Sequence, residues 1–204
     1  QDEKDDGSWQ WGGNLVVHEL RQQKNGELSV SLPGTVAGAF TNKNKVAFTT
    51  GSGNFHAAGN KLVLDATGSF SAASAGTLPA LCKIKTTMQY EPGTVDFGLM
   101  FRTSDDFDKS YYLRLEPQWN RLVFDKWPRQ HSEVNQMAEL ERPLELSPGR
   151  PITLEAVIEG NKGVVYINDT IAMNFRAYDL PAGNWGFFAT GGKVSFTETG
   201  MTTR

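Results

Sequence analysis

ALCKIKTTMQY, residues 80–90, alternates strictly: Ala80, Cys82, Ile84, Met88 and Tyr90 fall on one side, and Lys83, Lys85, Thr87 and Gln89 on the other. Successive side chains of an extended chain point to opposite faces, so this stretch reads as a strand with one buried and one solvated face. The same period runs outward from it. Phe97, Leu99 and Phe101 alternate with Asp96, Gly98 and Arg102, and Leu113 and Leu115 alternate with Tyr112, Arg114 and Glu116. Leu122 and Phe124 continue the series, Leu154, Ala156 and Ile158 oppose Thr153, Glu155 and Val157, and strand-like runs follow at 163–168, 171–176, 184–189 and 193–199. Turn residues separate the runs at short intervals: Glu91-Pro92-Gly93, Pro117 to Asn120, Pro148-Gly149, Gly160 to Gly163, Asn168-Asp169 and Gly191-Gly192. This is the punctuation of antiparallel meanders. A sheet with one apolar face must bury it, and with no amphipathic helix of adequate length in the sequence, the expected cover is a second sheet. The reading is an all-β, antiparallel β-sandwich. Ser132 to Leu140 is helix-like but is soon followed by Pro143 and Pro148, and reads as loop or a single turn.

The first forty residues are written differently. After the acidic start QDEKDDG, residues 9–36 read as strand, Asn25-Gly26 turn, strand and a Pro33-Gly34 exit. We therefore divide the chain into a tail and linker hairpin, 1–40, and a sandwich module, 41–204. An isolated hairpin is marginal in water, so this one must dock on the sandwich or on another domain. Trp9, Trp11, Leu15 and Val17 form an apolar group in it, the candidate domain interface.

Composition narrows the function classes. In 204 residues, 20 Lys and Arg face 23 Asp and Glu, a formal net charge of −3, which argues against a polyanion-binding surface and a nucleic-acid partner. No window approaches the roughly 18 apolar residues of a membrane helix, so no membrane insertion is expected, and the acidic start does not read as a signal peptide. Cys82 is the single cysteine, which excludes an intrachain disulfide and a multi-Cys zinc site.

Several short motifs together resemble glycoside hydrolase family 32, the invertase, levanase and inulinase group. Trp11-Gly12-Gly13-Asn14-Leu15, His18-Glu19-Leu20 and Gly26-Glu27-Leu28 leading to Pro33 look like the junction between that family's catalytic propeller and its C-terminal module. Gly98-Leu99-Met100-Phe101-Arg102 and Arg121 to Lys126 are similar to the module's middle strands, and Gly163 to Asp169, Arg176, Tyr178 and Trp185-Gly186-Phe187-Phe188 to its closing strands. Where the family more often has Pro-Arg-Glu-Leu, this chain has Val17-His18-Glu19-Leu20, a departure that suggests a divergent, Bacteroides-type branch. The resemblance implies a concanavalin/laminin-G-like sandwich, a propeller as partner in cis, oligosaccharide or fructan as ligand, and a bacterial periplasmic, cell-surface or secreted location. The family's catalytic Asp and Glu motifs belong to the propeller and have no match here. Retaining hydrolysis needs two carboxyl groups about 5–5.5 Å apart, and no sequence pattern offers such a pair. The expected role is thus a non-catalytic accessory module without a cofactor, with a stand-alone lectin-like protein as the alternative.

Within the chain, Trp119, Trp127, Tyr111 and Tyr112 gather around one hairpin with Asn120, Arg121, Asp125, Lys126 and Arg129. An aromatic platform flanked by such groups suits the C–H faces and hydroxyls of a sugar, so Trp119, Trp127, Tyr112, Asp125 and Arg129 are the candidate carbohydrate site. Aromatic residues also fill cores, and that reading comes first on frequency. Asp105, Asp106 and Asp108 read as a solvated loop in preference to a calcium site, because the EF-hand Gly and terminal Glu are missing. His18, His56 and His131 are scattered without metal-ligand spacing, and Cys82 falls on the apolar side of its strand. Gly51 to Gly59 reads as a connector or hairpin turn, and Asn168-Asp169-Thr170, although a glycosylation sequon, as a tight turn.

Overall fold

The computed structural model describes residues 16–128 and 140–204. In chain order the strands are β1 (Glu19–Gln22), β2 (Leu28–Ser31), β3 (Asn42–Asn44), β4 (Thr50–Ser52), β5 (Asn54–Ala58), β6 (Lys61–Asp65), β7 (Phe70–Thr77), β8 (Leu81–Tyr90) and β9 (Asp96–Thr103). They continue with β10 (Ser110–Glu116), β11 (Arg121–Trp127), β12 (Leu140–Pro143), β13 (Ile152–Glu159), β14 (Lys162–Ile167), β15 (Ile171–Arg176), β16 (Asn184–Thr190) and β17 (Lys193–Thr203). One helical turn, α1 (Gly34–Ala37), follows the first hairpin.

Two antiparallel sheets make the expected sandwich. One runs β12-β11-β10-β9-β16-β7-β4; the other runs β15-β14-β13-β8-β17-β6-β5, with β3 added on β17. The alternation read in residues 80–90 is kept: Cys82, Ile84, Thr86, Met88 and Tyr90 are buried while Lys85 and Gln89 face out. Inward residues of both sheets fuse into one core, in which Phe187 stacks on Phe196 with centroids 4.4 Å apart and Phe124 stacks on Tyr111 and Phe175. Burial pushes the Cys82 thiol up to about 12, the behaviour of a core side chain and not of a nucleophile.

The turns follow their chemistry. Asn168 and Asp169 both take positive φ, 52° each, as the two central residues of the tight β14–β15 hairpin. Residues 51–59 are not a connector: they form most of β4 and β5, which lie in opposite sheets, with Gly53 at positive φ between them. Leu140 lies in β12; the remainder of the 132–140 stretch falls outside the described residues.

β1 and β2 pair only with each other and pack against the outer face of the eight-stranded sheet, where Val16, Val30, Leu32 and Ala37 meet Val157, Val164, Tyr166 and Ala172. His18 Nδ1 lies 3.0 Å from the Tyr166 hydroxyl. Of the candidate interface residues, Trp9, Trp11 and Leu15 lie outside the described residues. Val17 is exposed and lines an apolar cavity of about 230 Å³ with Val16, Leu32, Val36 and Tyr166.

Candidate functional site

The opposite face of the molecule, the outside of the seven-stranded sheet, is where side-chain chemistry collects. Register dictates which groups meet there. The turn at Pro117–Trp119 pairs Glu116 with Arg121, which places Tyr112 opposite Asp125 and Ser110 opposite Trp127. On the other side of β10, Arg114 lies opposite Gly98, and Gly98 opposite Phe188. Arg114 and Phe188 are thus separated by a residue with no side chain, and the sheet is open between them. Thr190 pairs with Asp96 one step along.

The result is a cavity of about 370 Å³ lined by Phe70, Asp96, Phe107, Tyr112, Arg114, Asp125, Trp127, Phe188 and Thr190. Its aromatic wall is tied together by an edge-to-face contact between Tyr112 and Phe188, centroids 4.8 Å apart, with Met100 and Ala72 in the same small cluster. Its polar wall is Arg114 with Asp96, Asp125 and Thr190, and the guanidinium also pairs with Glu116, which does not line the cavity. Arg114 pairs through Nη1 with Asp125 at 3.0 Å and through Nη2 with Glu116 at 2.5 Å, while its Nε lies 3.7 Å from Asp96. That Nε–H is buried without a hydrogen-bond partner among the described residues. Arg121 steadies Glu116 from the far side at 2.6 Å, and the Lys126 backbone N–H donates to Asp125 at 2.8 Å. Asp96 accepts from the Thr190 hydroxyl. Burial pushes the Asp96 carboxyl up; the Thr190 hydrogen bond and Arg114 pull it down, and the Glu116 and Asp125 charges add to the rise. Such a wall offers fixed donors and acceptors side by side beside apolar rings.

The acidic loop serves this cavity. Asp106 accepts from the Ser104 hydroxyl at 2.5 Å and the Asp108 N–H at 3.1 Å, which holds its carboxyl below the usual range, and Asp105 accepts from the Asn184 amide at 2.8 Å. These bonds shape the turn that carries Phe107, at φ 64°, to the cavity wall. Among the described residues no group of three or more His, Cys, Asp or Glu side chains is arranged to hold a metal ion.

The structure divides the sequence-predicted platform. Tyr112, Asp125 and Trp127 line the cavity, whereas Trp119 sits in the turn at the other end of β11, roughly 20 Å away along six strand steps. Tyr111 is in the core, as the burial reading expects, but Trp119 and Trp127 are 67% and 56% exposed and fill no core. Lys126 is buried in an ion pair with Asp179 and is no part of the cavity wall. Arg129 lies outside the described residues. Sequence reasoning missed Asp96, Arg114, Phe70, Phe107, Phe188 and Thr190, which come from strands or loops distant in the chain.

Known proteins share this fold. A carbohydrate-binding module, CBM66 of Bacillus subtilis, superposes with a TM-score of 0.64 at 17% identity, over 80% of this chain and 99% of its own. A fructosyltransferase of A. japonicus (0.59, 14% identity) and the β-fructofuranosidase of Aspergillus kawachii (0.60, 13%) cover 93% and 87% of this chain. The chain spans about a third of those two enzymes, 32% and 30% of their lengths, in their C-terminal β-sandwich regions. The family 32 resemblance read from short motifs is therefore present in the fold. No family model matches the sequence, and no curated protein does either.

A second cavity, of about 540 Å³, lies at the Trp119 end of the sandwich. Asn120, Pro143, Leu144, Glu145, Asn168, Thr170 and Ile171 line it.

Proposed function

We propose that this chain is a non-catalytic carbohydrate-binding module that seats a neutral sugar unit in the Arg114 cavity, and that it serves as an accessory to a fructan- or sucrose-type glycoside hydrolase. The carrying observation is the juxtaposition at Gly98: a guanidinium fixed by three carboxylates on one side, and the Tyr112–Phe188 aromatic pair on the other. A sugar ring presents apolar C–H faces bordered by hydroxyls, and each hydroxyl both donates and accepts. The Arg114 guanidinium can donate to one hydroxyl, Asp96 and Asp125 can accept from its neighbours, and the rings take the C–H face. The carboxylates are engaged with Arg114, a binding arrangement more than an acid and nucleophile pair flanking a bond. The propeller as a partner in cis, and export to the periplasm or cell surface, belong to the same reading; the shared fold with a third of two fructoside-acting enzymes supports the first.

Affinity electrophoresis and calorimetry with levan, inulin and their oligosaccharides test it. The chain should be retarded by at least one of them and release no free sugar. Arg114→Lys keeps a charge but loses the planar fork that three carboxylates grip, and should weaken binding about tenfold or more with the fold intact. Absence of binding to every saccharide, or unchanged affinity in Arg114→Lys, overturns the assignment, and hydrolysis of any of them makes the chain an enzyme.

A further inference from the structure

The second cavity is built, not incidental. It lies across the seam between the two sheets, where the β10–β11 turn, the segment after β12 and the β14–β15 turn converge. Two asparagines at left-handed positions, Asn120 at φ 47° and Asn168 at φ 52°, stand on opposite sides of that seam. Each has its amide orientation fixed by the backbone. Asn120 Oδ1 accepts the Leu146 N–H at 3.0 Å, and its carbonyl accepts the Leu144 N–H at 2.8 Å. Asn168 Oδ1 accepts the Thr153 N–H at 2.8 Å. A backbone N–H can be met only by the oxygen of a side-chain amide, so both Nδ2 groups are turned away from these bonds, on two side chains that line the cavity. Glu145 adds an acceptor, Leu144 and Ile171 add apolar surface, and Trp119, the residue before Asn120, is 67% exposed.

The geometry points to a second sugar-binding subsite here, separate from the Arg114 cavity and formed by the outward amides of Asn120 and Asn168 with Glu145 and Trp119. Oriented amide donors, one acceptor and an apolar floor suit a neutral polyhydroxy ligand, not an anion or a cation. The two sites sit at opposite ends of β11, roughly 20 Å apart, a span of several sugar units. A polysaccharide or a branched glycan that reaches both gains avidity, because the second contact is made at high effective concentration. The choice of saccharides as probes rests on the reading above; the site itself does not.

The test is a ¹H–¹⁵N titration of the full chain with inulin- and levan-type fructo-oligosaccharides and with xylo-, cello- and malto-oligosaccharides. The side-chain amides of Asn120 and Asn168 report the end site, and the Trp127 indole N–H reports the Arg114 cavity. Asn168→Asp keeps an oxygen to accept from Thr153 and puts a charged acceptor where the outward donor stood, so the fold is preserved while the site loses a donor. The expected result is movement of the Asn120 and Asn168 amides on a saturable curve that Asn168→Asp and Trp119→Ala each weaken about tenfold, with the Trp127 curve unchanged. Still amides alongside a moving Trp127 indole overturn this inference and leave the Arg114 site standing. Moving amides with a still indole do the reverse. Moving amides whose curve neither substitution weakens also overturn it, and stillness at both ends overturns both sites.

Discussion

Arg114 and Asp96 show what placing charge on a sheet face demands. A guanidinium 21% exposed is held by three carboxylates, and the cost of burying Asp96 is met only partly by Arg114 and Thr190, so its carboxyl rises. A group whose folded value is raised binds its proton more tightly folded than unfolded. Its contribution to stability is complete below the unfolded value, about 4, and is lost as pH climbs through the raised folded value. Asp96→Asn removes that dependence. The stability of the variant relative to the natural chain should therefore improve as pH rises through that window and then level off. Urea denaturation at intervals from pH 3 upward measures it, and a difference that stays flat across the window shows that Asp96 is not held up by burial. None of this was legible in residue order. Asp96 stands alone in the sequence and Arg114 looks like one more solvated alternate residue; only the pairing of β9, β10 and β16 brings them together.

Elements were more legible than sites, because period and turn chemistry are local. The alternation in residues 80–90 became β8 with its expected faces, and the Asn168-Asp169 turn formed as its residue types require. The error over Trp119 and Trp127 was one of register. With a turn at Pro117 to Asn120, strands of seven residues on each side carry Trp127 to the far end, where it meets Ser110. The same register, extended by one strand, explains why Gly98 matters. It has φ 152°, and a Cβ built there would lie 2.0 Å from the Leu113 carbonyl oxygen. Gly98→Ala should push β9 and β10 apart beneath the Arg114 cavity, costing about 2–4 kcal/mol and lowering saccharide affinity in proportion to the cavity's distortion. Chemical denaturation and calorimetry read the two effects. A stable variant with full affinity means that the sheet relaxes around the methyl group and that the opening at Gly98 is not a requirement of binding.

At the scale of the whole molecule, the question is whether the first hairpin belongs to the sandwich or only rests on it. The main core draws its buried side chains from Phe48 onward, and among the described residues none from β1, β2 or α1 enters it. The hairpin buries a second, smaller cluster: Leu32 against Val164 and Tyr166, closed by the His18–Tyr166 contact. A chain beginning at residue 41 keeps β3, which pairs with β17, and keeps both sheets whole. It loses the cover over Tyr166 and Val164, about 2 kcal/mol for each side chain returned to water. Such a chain should still unfold in one cooperative step, at a lower midpoint, and should self-associate through the bared face of β13–β15, since a contiguous apolar patch of this kind seeks a partner. Differential scanning calorimetry with light scattering distinguishes the outcomes. Loss of the cooperative transition makes the hairpin a structural part of the sandwich, and the boundary at residue 40 then falls inside a single folding unit. A monomeric, fully stable product means instead that the hairpin contributes little to the module and is free to bind elsewhere, which favours a docking role toward a neighbouring domain.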